Sequence, residues 1–199
     1  MADNDNTVSK QTLYISIAVS LLIGFLGGVI YSDRSPQSGQ QFAQQPNLPP
    51  LPQQQTQLIQ AIESLQLAVQ QNPNNAEAWA QLGHAYFDSN QYAKAIEAYN
   101  KSLAIIPSNP PVLTDLGVMY RRNGQPEKAI ESFDKALEIS PGFEQALFNK
   151  GVVYYNDLGK PEEALKAWRE LLIVNPGAMG PNNVSVEKMV DDLSRQLGK

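Results

Sequence analysis

A chain of 199 residues, 42% hydrophobic and 18% charged, has room for one domain with appendages. Asp+Glu 20 against Lys+Arg 15 gives a net charge of −5 and no basic footprint, so nucleic acid is excluded as a partner. The chain has no cysteine, which excludes disulfides, thiolate zinc sites and Cys-linked haem and leaves the redox compartment open.

Residues 1–11 form a short polar N-terminus, and residues 12–31 are twenty residues without a charge, bounded by Lys10 and by Asp33 and Arg34. Twenty helical residues span about 30 Å, the hydrocarbon thickness of a bilayer. Eleven of them are Leu, Ile, Val or Phe, each worth roughly −0.3 to −0.6 kcal/mol of insertion energy at mid-helix. The expectation is one transmembrane helix over 12–31. The competing reading is a cleaved leader, against which stand the length of the apolar run, the non-basic start and the lack of a small-x-small site after Tyr31. Ser16, Ser20, Gly24 and Gly28 recur every four residues, a small-residue stripe that lets two membrane helices meet. Lys10 and the amino terminus outnumber Arg34, which favours the bulk of the chain outside.

Residues 32–55 read as a linker, because Pro36, Pro46, Pro49, Pro50 and Pro52 among many glutamines favour extended polyproline II and supply no core. From Gln55 to Gln71 the apolar residues Leu58, Ile62, Leu65 and Val69 return to helical spacing.

Three copies of one pattern follow. Trp79, Leu82, Gly83 and Tyr86 align with Leu113, Leu116, Gly117 and Tyr120 and with Leu147, Lys150, Gly151 and Tyr154. Each copy continues with a small residue, an aromatic and a terminating proline: Ala95, Tyr99, Pro107; Ala129, Phe133, Pro141; Ala164, Trp168, Pro176. A period of 34 to 35 residues is the signature of stacked helical hairpins. First helices are expected near 76–89, 110–123 and 144–157, second helices near 92–105, 126–139 and 161–174. Asn123-Gly124 and Leu158-Gly159 supply turns, and Pro126 and Pro161 suit a first helical turn. Gly83, Gly117 and Gly151 admit a close neighbour, with Ala95, Ala129 and Ala164 expected to face them. The third copy carries one extra residue near Asp157 and Leu158. Ser185 is positioned to cap a last helix whose apolar face is Val186, Met189, Val190, Leu193 and Leu197.

On these columns the chain resembles the tetratricopeptide repeat (TPR) family over residues 76–176, with residues 56–75 in phase through Ala61, Leu65, Ala68 and Pro73. The resemblance implies an all-α TPR helical-hairpin solenoid, three full repeats with flanking cap helices, behind the transmembrane helix. The expected divisions are a half-repeat at 56–75, repeats at 76–109, 110–143 and 144–178, and a capping helix within 179–199. The departures are Leu113 and Leu147 for tryptophan, Lys150 for leucine, and Ser102 and Leu171 for alanine.

No catalytic constellation is written in the chain. His84 is the only histidine, with no partner to make it a base or a metal site, and Glu162–Glu163 and Asp191–Asp192 point to different sides of a helix. No enzyme activity, cofactor or metal is expected.

The family resemblance implies a concave groove, lined by the first helices, that takes a protein or peptide segment. The residues carried onto it are Ala80, His84 and Phe87, with Glu77; Thr114, Val118 and Arg121; and Phe148, Asn149, Val152 and Tyr155, with Gln145. The places of the family's basic carboxylate clamp hold Ala80, His84, Asp115, Gln145 and Asn149, so recognition of an acidic tail is not expected. An apolar or amphipathic segment fits the aromatic and β-branched walls better; alternatively helix 185–197 or the linker fills the groove from within the chain. The leading functional reading is a membrane-anchored TPR adaptor that assists assembly of a protein complex. Its plan is similar to accessory proteins of bacterial cytochrome c maturation, which implies a single-pass inner-membrane protein with the array on the periplasmic side. The alternative is a self-associating scaffold, a homo-oligomer built through the membrane helix and the array.

Overall fold

The structure is a computed structural model that describes residues 53–199. Its α-helices are α1 (Gln53–Gln71), α2 (Ala76–Asp88), α3 (Tyr92–Ile105), α4 (Pro110–Arg122), α5 (Pro126–Ile139), α6 (Glu144–Asn156), α7 (Pro161–Val174) and α8 (Val186–Gln196), with a 3-10 turn at Pro181–Asn183. Helix follows helix in an antiparallel stack, so α2–α3, α4–α5 and α6–α7 are hairpins, and each hairpin packs on the next through α3–α4 and α5–α6.

Local chemistry sets the ends of these helices. The side chains of Asn75 and Asn109 accept hydrogen bonds from the N–H groups of Ala78 and Val112, capping α2 and α4. Pro110, Pro126 and Pro161 open α4, α5 and α7, where the missing N–H costs nothing. Inside the hairpins the chain turns through a left-handed residue: Asn90 at φ 57°, Gly124 at φ 72° and Gly159 at φ 61°.

The third turn holds one more residue than the others. The N–H groups of Gln91 and Gln125 reach back to the carbonyls of Tyr86 and Tyr120, and Lys160 reaches Tyr154, each at 2.8 Å. The extra residue is therefore absorbed between Tyr154 and Lys160, and Leu158 packs into the core beside Leu113 and Ile130.

The core runs the length of the stack as successive clusters. Its largest fully buried side chains include Tyr99 and Phe133, each from a second helix. The nearest atoms to Gly83, Gly117 and Gly151 are ring atoms of Tyr99, Phe133 and Trp168 from the same hairpin. Ala95, Ala129 and Ala164, which sequence reasoning set against these glycines, are fully buried on the same second helices.

The ends of the array are closed by single helices. α1 packs on α2, with Val69 buried, Ile62 and Leu65 against the same cluster, and Gln66 Nε2 donating to the Tyr86 hydroxyl at 2.8 Å. The helix begins at Gln53, two residues before Gln55, where the helical spacing of its apolar residues placed the start. α8 packs on α7 as each first helix packs on the second helix before it, burying Val186, Val190 and Leu193 against Leu165, Trp168 and Leu171.

The expected single-pass placement in an inner membrane, with the array on the periplasmic side, is corrected. Among the described residues no helix is long and apolar enough to cross a membrane. α1 is long enough, but eight glutamines among its nineteen residues keep its hydropathy low. The stretch 12–31, its contact stripe Ser16, Ser20, Gly24 and Gly28, and most of the linker lie outside the described residues.

Candidate protein-binding groove

The exposed positions of α2, α4 and α6 form a surface tied together by polar links between units. His84 on α2 meets Asp115 on α4, Nε2 to Oδ2 at 3.0 Å. Arg121, at the end of α4, pairs through Nε with Asp157, the residue that ends α6. The cation that sequence reasoning placed in the groove is thus engaged within the chain.

The hydrogen bond to Asp115 raises the His84 pKa above its ordinary value; burial opposes this, and the negative charges of Asp115, Asp88 and Glu77 add to it. The first unit's end of the surface is accordingly acidic around one titratable ring. Beneath it the His84 ring meets the Tyr99 ring edge-on, centroids 5.4 Å apart. Burial pushes the Tyr99 phenol pKa up.

Not every candidate residue reaches this surface. Ala80 is 4% exposed and Thr114 fully buried, its hydroxyl donating to the Pro110 carbonyl at 2.9 Å, so both serve the core and present nothing to a ligand. Asn149 donates to the Gln145 carbonyl one turn back on its own helix, at 2.8 Å. Val118 is half-buried against two core clusters. Phe87 keeps about a third of its surface open.

Phe148, Val152 and Tyr155 come together. They line a cleft of about 330 Å³ with Trp168 of α7 and with Met189, Leu193, Asp192 and Gln196 of α8. Tyr155 and Trp168 have ring centroids 6.0 Å apart, tilted at 52°. Trp168 is fixed by its Nε1 donating to the Phe148 carbonyl at 3.2 Å. The rim carries Asp192, which accepts from Lys188 at 2.9 Å and Arg195 at 2.8 Å; the Lys188 hydrogen bond lowers its pKa.

Sequence reasoning missed the α8 side of this cleft. Met189 and Leu193 were placed on the apolar face of the last helix, and that face does cover the last hairpin. What periodicity does not show is that its edge overhangs α6, so that α8 becomes a wall of the groove rather than its filling.

Comparison with known proteins agrees with this architecture. The family model described as Tetratricopeptide repeat matches residues 76–109 and 110–143. Related models match residues 54–89 (TPR repeat) and 145–178 (Tetratricopeptide repeat), so together they cover more than half the chain and include α1. No curated protein matches it. Among solved structures the chain is similar to MamA, with 20% identity, a TM-score of 0.65, and coverage of 73% of this chain and 81% of that one. It is similar to the first TPR of Spaghetti (RPAP3) bound to the HSP90 peptide SRMEEVD, with 25% identity, a TM-score of 0.55 and coverage of 62% and 94%. The Sgt2 TPR domain from Aspergillus fumigatus matches at 24% identity, with a TM-score of 0.53 and coverage of 62% and 79%. TPR domains are protein–protein interaction modules built on a non-enzymatic scaffold. With repeat-family matches running from residue 54 to residue 178, the chain belongs to the tetratricopeptide repeat family.

Proposed function

We propose that this chain is a protein-binding adaptor that holds one apolar or amphipathic segment of a partner and so assists assembly of a larger complex. The observation that carries the reading is the cleft between α6 and α8. Its walls are Phe148, Val152, Tyr155, Trp168, Met189 and Leu193, and its volume of about 330 Å³ lies at the lower end of ligand sites. That size suits one or two large apolar side chains of a protein segment rather than a metabolite. Aromatic and methionine walls adapt to such an anchor.

The Spaghetti (RPAP3) structure holds a peptide ending in Glu-Glu-Val-Asp. An acidic tail is a poor fit to this chain, because the groove's Arg121 is engaged by Asp157 and the surface presents Glu77 and Asp88 from the first unit and Asp115 from the second. A segment with an apolar anchor and cationic flanks matches both features.

The test is photo-crosslinking from position 155 in cells, repeated with Met189→Glu. α8 exposes Met189 only in part, so helicity should be unchanged while the crosslinked partner is lost. Removing a central anchor contact costs about 1–2 kcal/mol, roughly ten-fold in affinity. Retention of every crosslinked partner by a folded variant defeats the reading.

A further inference from the structure

We propose that the His84–Asp115 contact is a pH-sensitive latch between the first two hairpins. As pH rises through neutrality, α1–α3 open more readily while the rest of the array stays closed. The proposal is independent of the adaptor reading, since it needs no partner.

The way the units are joined carries it. In a linear array each unit touches only its neighbours, so the opening of an end module is governed by the one interface that holds it. α1 packs on α2, α2 on α3 and α3 on α4, which makes α1–α3 the N-terminal module. Apolar packing holds its interface at every pH, with Tyr99 of α3 in one cluster with Val112, Leu116 and Met119 of α4.

The polar ties differ from one interface to the next. Among the described residues, the only side-chain hydrogen bond from α1–α3 to the next hairpin is His84 Nε2 with Asp115 Oδ2, at 3.0 Å. The second interface has two ion pairs, Arg121 with Asp157 and Lys150 with Asp134, and Arg169 ties α7 to Ser194 of α8. Arginine and lysine keep their charge across neutral pH. Among these ties, only the first depends on a group that changes charge there.

The charges around His84 give the sign. Asp115 acts on it from α4, and Asp88 and Glu77 from its own helix; α1, whose one charge is Glu63, adds none. α3 contributes the Tyr99 ring, and burial keeps its phenol protonated through this range. A protonated imidazole is a cation shared by carboxylates from both sides of the interface. Once the proton leaves, Asp115 faces the carboxylates of α2 with no cation among them. The closed array therefore holds the proton more tightly than the opened one, whose ring returns to the ordinary value near 6.5. The latch is fully set below that value and is released as pH rises through the higher, closed-state value. A partly exposed pair is worth little to the whole fold. Here it bears on a single interface, so it changes the opening of one module.

The experiment is amide hydrogen exchange of the full chain by mass spectrometry, in a mild non-ionic detergent because residues 12–31 are uncharged. It is run at about pH 6 and about pH 9, on either side of the histidine range, and corrected for the intrinsic exchange rate. Peptides from α6 and α7 serve as the internal reference. Protection of α2 and α3 relative to that reference should fall by about two- to five-fold from the lower pH to the higher. His84→Gln should behave at both values as the wild type does at the higher pH. His84→Lys keeps a cation opposite Asp115 and should behave at both as the wild type does at the lower. About half of the His84 side chain faces solvent, so both variants should fold with unchanged helicity. Equal changes in α2–α3 and in α6–α7 would mean that the array opens as one unit, and would overturn the proposal. A wild type without the pH effect overturns it too. So does an effect that persists in His84→Gln, because another group then carries it.

Discussion

Trp168 lies directly over Gly151: a Cβ built on that glycine would sit 2.2 Å from the indole Nε1. The same arrangement sets the Tyr99 ring on Gly83 at 2.5 Å and the Phe133 ring on Gly117 at 2.4 Å. Each hairpin is closed by an aromatic from its second helix seated on a glycine of its first. The glycines are therefore needed for space, not for backbone freedom.

The sharpest consequence is at Gly117. Phe133 is fully buried among Leu113, Ala129 and Ala146 and has no room to withdraw. Gly117→Ala gains about 1 kcal/mol of helix propensity but overpacks the ring at a cost of about 1–3 kcal/mol, more if the hairpin opens. The net expectation is a loss of up to about 2 kcal/mol, which lowers the melting temperature by up to roughly 6 °C. Thermal unfolding followed by far-UV circular dichroism decides it; a raised midpoint would sink the account.

Lys150 stands in a column that is otherwise buried leucine, Leu82 and Leu116. Its amine escapes the core to Asp134, 2.6 Å away, in a shallow cleft shared with Tyr154, Glu163, Lys166 and Glu170. Asp134 is nearly half exposed, so the pair contributes only about 0–1 kcal/mol. Lys150→Leu should therefore be neutral or stabilising by up to about 1 kcal/mol, as the column regains its apolar residue. Lys150→Glu, facing Asp134, Glu163 and Glu170, should destabilise by about 1 kcal/mol, less at high salt. Urea titrations at low and high ionic strength separate the two, and a lysine-to-leucine loss above 1 kcal/mol would contradict them.

The repeat period placed the helices of the three units to within a residue or so, because alternating helix faces and terminating prolines are local signals. Asn90 was passed over, although it holds the left-handed turn position that Gly124 and Gly159 hold in the other units; asparagine tolerates that conformation, but a search for glycine does not find it. The groove was legible only in part. Phe148, Val152 and Tyr155 share a face of α6 and converge as periodicity implies, whereas Ala80 on α2 and Thr114 on α4 are rotated into the core. Salt links such as His84–Asp115 and Arg121–Asp157 join residues 31 and 36 apart in sequence and depend on how units stack, which no single-unit pattern encodes.

Helix capping differs between the units and should be measurable. Asn109 caps α4 through its side chain, while α6 begins after Phe143 with no side-chain cap and leans on tertiary packing instead. Asn109→Ala should cost about 1 kcal/mol. Asn109→Asp should cost little, since its carboxylate accepts the same N–H at the positive end of the helix. Equal losses in the two variants, by denaturant unfolding, would show that the cap bond does not contribute.

His84 is the only histidine, so its ring protons give one uncrowded NMR titration. The folded pKa is raised above the ordinary value near 6.5, chiefly by the hydrogen bond to Asp115. A raised folded pKa means that the folded state holds the proton more tightly than the unfolded chain. The stabilisation is thus fully present below the unfolded pKa of about 6.5 and is lost as pH rises through the folded value. Its size is small, because half of the His84 side chain faces solvent and salt screens the pair. Asp115→Asn should return the ring pKa toward 6.5 and flatten the fall of stability on the alkaline side of that value, while Asp88→Asn should move it less, since Asp88 acts only through charge at a distance. The His84–Asp115 contact spans α2 and α4 on the proposed binding surface, so the same titration changes the charge that a cationic flank would meet. A ring pKa at or below 6.5 in the wild-type chain, or one unmoved by Asp115→Asn, would show that the two side chains are not paired in solution.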